Sequence, residues 1–158
     1  MKVVLITTLL LLLAVPPAVG SAAGAVALAP HPAPADALFA WVPPGGFPDH
    51  FPFGQCTWWA AYNRSVSWSG NAGDWLANAR AQGFATDDTP TVGAIVVYRP
   101  GGDYSLFGHV AIVIAVAPAG YTVSEMNAVG WGQVSTRRLA WPDPQVEGFI
   151  PLTAADQR

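Results

Sequence analysis

The apolar residues of this chain change their spacing several times along its length, and each change marks a different kind of structure. Residues 3–15 form an apolar run interrupted only by Thr7 and Thr8. Residues 21–44 carry Ala and Pro with no period, as in APHPAPADALFAWVPP, and Gly45-Gly46-Phe47-Pro48 is turn material leading out of them. Residues 56–63, CTWWAAYN, contain neither Pro nor Gly and read as a short helix. Residues 71–82 read as a second helix. Asn71 stands at its N-cap, Asp74 three residues on and Gly83 just past its end, while Trp75, Leu76 and Ala79 fall on one face. After Pro90 the pattern becomes β-branched: VGAIVVY at 92–98, VAIVIAVA at 110–117 and YTVSEM at 121–126, divided by Gly and Pro turns. Residues 134–139 and 148–152 add two further candidate strands. Helices first and strands afterwards predict an α+β domain with a mainly antiparallel sheet. No internal repeat is visible.

The amino-terminal run changes the picture because of its flanks. Lys2 precedes it, Pro16-Pro17 ends it, and Ala18-Val19-Gly20 supply small residues, so residues 1–20 are expected to be an export signal cleaved before Ser21. The run is shorter than the roughly 20 apolar residues of a spanning helix; left uncleaved, it would be an anchor. The mature protein is then expected outside the cytoplasm, secreted or periplasmic. Residues 21–46 are expected to be a semi-rigid, poorly packed linker, with 39–42 able to dock on the domain. Residues 153–158 are expected to be a tail. The formal net charge is -3 and Lys plus Arg number 7, with no basic run. That leaves a nucleic-acid partner, or a polybasic membrane patch, without electrostatic support.

The chain has a single cysteine, Cys56, so it forms no internal disulfide. The thiol is inert and buried, half of an intermolecular bridge, or reactive. Cys56 opens the first predicted helix, where unpaired N–H groups and the helix dipole stabilise a thiolate, and Gly54 permits close backbone approach just before it. Of the three histidines, His31 lies in the Ala/Pro segment and His50 among turn residues, whereas His109 opens the most hydrophobic strand directly after Gly108. A strand start packed against the cysteine helix suits a base, although packing alone also places histidines at strand ends. Glu125 and Asn127 close the next strand two residues apart and share a face if that strand stays regular. One would accept the imidazole N–H and the other brace it or the substrate; ordinary turn chemistry at Asn127 is the alternative. No G-x-S-x-G, H-E-x-x-H, C-x-x-C or phosphate loop occurs, His109 has no neighbouring histidine to share a zinc ion, and Asp87-Asp88 reads as a solvated turn.

Taken in order, PFGQCTWWAAYN at 52–63, GNAGDWLANARAQGF at 70–84, TPTVGAIVVY at 89–98, FGHVAIVIAV at 107–116 and VSEMN at 123–127 resemble the CHAP family of cysteine, histidine-dependent amidohydrolases/peptidases. The resemblance implies a papain-like domain over residues 47–152, with Cys56 as nucleophile, His109 as base, Glu125 orienting the base and Asn127 at a further polar position of the site. It implies peptidoglycan as substrate, cut between muramic acid and L-alanine or within the stem peptide or cross-bridge. Neither metal nor organic cofactor is needed for that chemistry. Helix-start N–H groups, with Gln55 as an added donor, would hold the oxyanion. Trp59, Tyr104, Phe107 and Trp131 are candidate substrate contacts, and core packing is the alternative role for such aromatics. Many members of the family carry a separate wall-binding domain; targeting here is expected from the linker, a wall-targeting or regulatory partner protein, or the cleft alone, and the chain is expected to be a monomer. Two other readings remain at this point: a wall-binding module that keeps the fold without turnover, and a dimer linked through Cys56.

Overall fold

The computed structural model describes residues 41–157. The expected export signal, most of the linker and His31 lie outside the described residues.

Helix α1 spans Cys56–Asn63 and buries Thr57, Ala60 and Ala61, positions whose spacing of three and four places them on one helical face. The segment predicted at 71–82 begins as a 3₁₀ turn over Ala72–Asp74 and continues as α2, Trp75–Ala81. Asn71 occupies the N-cap position without a side-chain capping bond. Gly83 ends α2 in the left-handed conformation (φ 82°), with Gly83 N–H donating to Arg80 C=O at 3.0 Å and Phe84 N–H to Ala79 C=O at 3.0 Å. This paired arrangement satisfies the last carbonyls of the helix.

Five antiparallel strands follow: β1 Ile95–Tyr98, β2 His109–Ala117, β3 Gly120–Met126, β4 Val134–Ala140 and β5 Val146–Ile150, in the spatial order β4-β3-β2-β1-β5. β1 starts later than its apolar run because Gly93 takes a left-handed turn (φ 83°) ahead of it. The central strands read as unbroken apolar runs because both of their faces are covered. On one face Ile95, Val97, Val110, Ile112 and Ile150 pack with Ala60, Ala61, Trp75 and Leu76 from the helices. On the other, Val96, Tyr98, Ala111, Val113, Tyr121, Val123 and Phe149 form a second core, closed over by Tyr104, Leu139 and Trp141. Edge strand β4 alternates between exposed and half-buried positions, as a strand with one solvated face should.

Both ends of the described chain are tied down. Trp41 N–H donates to Ile114 C=O at 2.7 Å and its ring packs on the helical core. The last residues of the expected linker are therefore docked, because the indole offers apolar area that the Ala and Pro residues around it lack. The expected tail is also anchored: Ala154–Asp156 form a 3₁₀ turn whose Asp156 reaches Arg64, the residue ending α1. Arg64 Nε lies 2.9 Å from Asp156 Oδ1, with both side chains buried, and its guanidinium also donates to the carbonyls of Gly93 and Pro151.

Removing one partner of a buried ion pair leaves the other charge uncompensated. Asp156→Ala should therefore lower stability by about 3 kcal/mol, read from urea denaturation, and Asp156→Asn by less because it keeps an acceptor oxygen. A wild-type midpoint for Asp156→Ala would show that the latch contributes nothing.

Candidate active site

Two residues that each begin an element meet at one end of the sheet. Cys56 starts α1 and packs with the helical core. His109 starts β2, directly opposite Tyr98 of β1, so its side chain belongs with the other core. They come together at the mouth of the sheet, where the thiol is within hydrogen-bonding reach of the His109 imidazole and the Val110 N–H. Two glycines make this approach possible. Gly108 has φ 76°, and a Cβ there would run into the backbone of Gly73 and Tyr98. Gly54 has φ 92° and lies under the indole of Trp131. Side chains at either position would be strained by conformation and by space.

The register of the sheet explains what stands behind the imidazole. Val113 of β2 faces Val123 of β3, and Val123 faces Arg137 of β4. Counting in twos from these pairs puts His109, Glu125 and Arg137 on one face of three successive strands. His109 Nε2 lies 2.9 Å from Glu125 Oε2. Arg137 clamps the same carboxylate, with Nε 2.9 Å from Oε1 and Nη2 3.1 Å from Oε2. Because Nε2 is taken by Glu125, Nδ1 is the ring nitrogen left for the thiol. Tyr104 stacks on the imidazole at 5.4 Å and 11°, and its hydroxyl accepts from Arg137 Nη2 at 3.1 Å.

These contacts set the proton affinities. Burial pushes the Cys56 thiol up, but hydrogen bonding and charge from His109, with the Val110 and Thr57 amides, bring it below its ordinary value. Burial works against the His109 imidazolium, yet hydrogen bonds to Cys56 and Glu125 and their negative charge push its pKa up to about 9. Burial likewise opposes a charge on Glu125, and the bonds from His109 and Arg137 more than offset it, holding the carboxyl below its usual range. A thiol shifted down beside an imidazole shifted up favours the thiolate–imidazolium pair.

Asn127 takes a different place from the one regular alternation predicts. β3 ends at Met126, and Asn127 has a left-handed backbone (φ 66°), so it leaves the face that Glu125 shares. Asn tolerates that conformation better than most residues. Its Nδ2 donates to Gln55 Oε1 at 3.1 Å, joining the end of β3 to the N-cap of α1. Two clefts open at the thiol. One of ≈ 180 Å³ is lined by Gln55, Tyr104, His109, Asn127 and Arg137; the other, of ≈ 330 Å³, by Phe51, Pro52, Asn71 and Phe107. Both include Cys56. Tyr104 and Phe107 thus stand at the clefts, and Trp131 is 66% exposed above Gly54, beside Phe53 at 5.9 Å. Trp59 is placed elsewhere: its indole N–H donates to Ser124 Oγ at 3.1 Å and ties α1 to β3. His50 Nε2 lies 3.1 Å from Trp68 C=O, away from this group.

Arg137 escaped sequence reasoning, because two adjacent arginines in an exposed strand look like solvated surface. The available signal was the carboxylate at Glu125: at the end of a buried strand it requires a cation, and the chain has few to offer.

A model of the CHAP domain matches residues 46–127. The chain is 41% identical over 101 residues to a protein named putative hydrolase in Streptococcus mutans, covering 62% of this chain and 46% of that protein. It is 39% identical over 99 residues to a probable autolysin of Staphylococcus aureus, covering 58% and 34%. The solved structure of an N-acetylmuramoyl-L-alanine amidase from Staphylococcus aureus superposes with a TM-score of 0.55 at 31% identity, covering 63% of this chain and 31% of that one. The chain thus spans less than half the length of each.

The shifted thiol can be measured without any substrate. Alkylation of Cys56 by iodoacetamide should reach half its maximal rate at a pH below the ordinary thiol value of about 8.5, since the reactive thiolate persists to lower pH when the pKa falls. His109→Ala should move that midpoint upward. Coincident profiles for the two proteins would mean that the imidazole does not act on the sulfur.

Proposed function

The chain belongs to the CHAP domain family, and from that premise we propose that it is an exported peptidoglycan hydrolase that cuts an amide bond by a thiol mechanism. In this reading residues 1–20 are the export signal and residues 47–152 the catalytic domain. The bond is the one between N-acetylmuramic acid and L-alanine, or an amide of the stem peptide or cross-bridge. The observation that carries the proposal is the line Cys56–His109–Glu125, whose thiol opens on two clefts, with the thiol shifted down and the imidazole shifted up. Support for the substrate class comes from relatives whose names are autolysin and N-acetylmuramoyl-L-alanine amidase.

The proposed steps use side chains and water. The Cys56 sulfur attacks the amide carbonyl, forming a C–S bond and a tetrahedral oxyanion. The unpaired N–H groups at the start of α1 stabilise that charge. Gln55 stands at the N-cap with its Oε1 engaged by Asn127, which leaves its NH₂ end to donate. The His109 imidazolium protonates the leaving nitrogen as the C–N bond breaks. The neutral imidazole then takes a proton from water, whose oxygen attacks the thioester; the C–S bond breaks, the acid product leaves and the thiolate–imidazolium pair is restored. Glu125 holds the ring by Nε2 throughout and stabilises its positive charge whenever the ring is protonated.

Zymography on purified peptidoglycan, followed by mass spectrometry of the soluble fragments, tests the reading and names the bond. Wild-type protein should clear the wall and release fragments ending in a new amine, and folded Cys56→Ser should release none. Activity should fall at high pH as His109 loses its proton at about 9. Glu125→Ala should cost more turnover than Asn127→Ala, with Glu125→Gln between Glu125→Ala and wild type, because an amide orients the ring without supplying charge. A folded Cys56→Ser that still clears the wall removes the thiol from the reaction. If Asn127→Ala is the more damaged enzyme, the orienting role belongs to Asn127.

A further inference from the structure

We propose that Arg137 is the positioning residue of this site: from edge strand β4 it fixes Glu125 against His109 Nε2 and pins Tyr104 on the face of the imidazole. The inference rests on Cys56 and His109 being the reacting pair and is independent of which bond is cut.

A carboxylate held only by one imidazole can turn about its last carbon–carbon bond. Glu125 is 0% exposed, so bulk solvent does not reach it to steady it. Arg137 removes that freedom, because its Nε and Nη2 donate in parallel to the two oxygens, at 2.9 and 3.1 Å. The planar fork fixes where Oε2 points, and Oε2 is the atom facing His109. The second restraint is separate. Tyr104 lies in the connection between β1 and β2, and its ring is nearly parallel to the imidazole. Arg137 Nη2 donates to its hydroxyl, and the guanidinium carbon sits 5.5 Å from the centre of its ring. One side chain therefore controls the edge of the imidazole through Glu125 and its face through Tyr104. Lysine, with a single charged nitrogen, cannot reproduce the fork.

The ionisable groups around the imidazole come from every neighbouring element. They are Cys56 of α1, Tyr98 of β1, Tyr104 and Asp103 of the β1–β2 connection, Glu125 of β3 and Arg137 itself. Glu125 supplies the negative charge bonded to the ring; His109 and Arg137 together keep that charge ionised, and the Arg137 fork aims it. Without Arg137 the imidazolium loses its fixed counter-charge, and the thiolate it stabilises becomes scarcer at a given pH.

The experiment compares Arg137→Met, Arg137→Lys and Tyr104→Phe with wild type by two readouts. The first is the pH dependence of Cys56 alkylation, which needs no substrate. The second is kcat and KM on soluble peptidoglycan fragments, with circular dichroism to verify folding. Arg137→Met should raise the alkylation midpoint and lower kcat on the order of 10- to 100-fold, with KM changed by less than about twofold. Arg137→Lys should recover part of both. Tyr104→Phe keeps the ring and loses only the hydroxyl, so it should shift both in the same direction by less. Wild-type alkylation and kcat in Arg137→Met would overturn the proposal. So would a loss confined to KM, which would make Arg137 a substrate ligand. Should Arg137→Met fail to fold, wild-type profiles in both other variants would overturn it. If the wild-type protein alkylates at the expected low pH but leaves peptidoglycan intact, the substrate proposed above is wrong and the role of Arg137 still stands or falls on the alkylation series.

Discussion

A carboxylate with no solvent exposure is the constraint around which this molecule is arranged. Burying Glu125 as an anion is tolerable only with hydrogen-bonding cations on its oxygens. His109 arrives from β2 and Arg137 from β4, so three neighbouring strands must keep their register for one charge to be satisfied. A shift of β4 by one residue would turn Arg137 to the other face and leave Glu125 with its histidine alone. The charge thus acts as a register check on the outer half of the sheet as well as a part of the site.

The fold was legible in the sequence to the extent that it depends on local pattern. CTWWAAYN is α1 residue for residue, and the β-branched runs became strands in the predicted order. Misses occurred where long-range packing decides. The turn at Gly93 delays β1, the segment from residue 71 opens as a 3₁₀ turn, and the expected tail is held by a partner more than 90 residues away. Nothing near Asp156 in sequence announces Arg64.

The site divides in the same way. Cys56 and His109 each open an element and Glu125 stands one residue from the end of another, where their chemistry is readable from position, and the structure brings them together. Asn127 depended on β3 staying regular, and it does not. Trp59 reads as an aromatic close to Cys56 in sequence, but helical geometry turns it toward β3 instead of the cleft. Arg137 required knowledge of which residue it faces across two strands, and no local pattern contains that.

The sulfur and the imidazole hang from opposite sides of one sheet. Cys56 is seated on the layer built from Trp75, Ala60 and Val110, while His109 is seated on the layer built from Tyr98, Tyr104 and Tyr121. Each half of the pair therefore has its own foundation. Drift in the helical layer would move the sulfur and leave the imidazole where it is, and drift in the aromatic layer would do the reverse. A lineage could retune the distance between the two groups by small changes in either layer, far from the clefts and without touching Cys56 or His109.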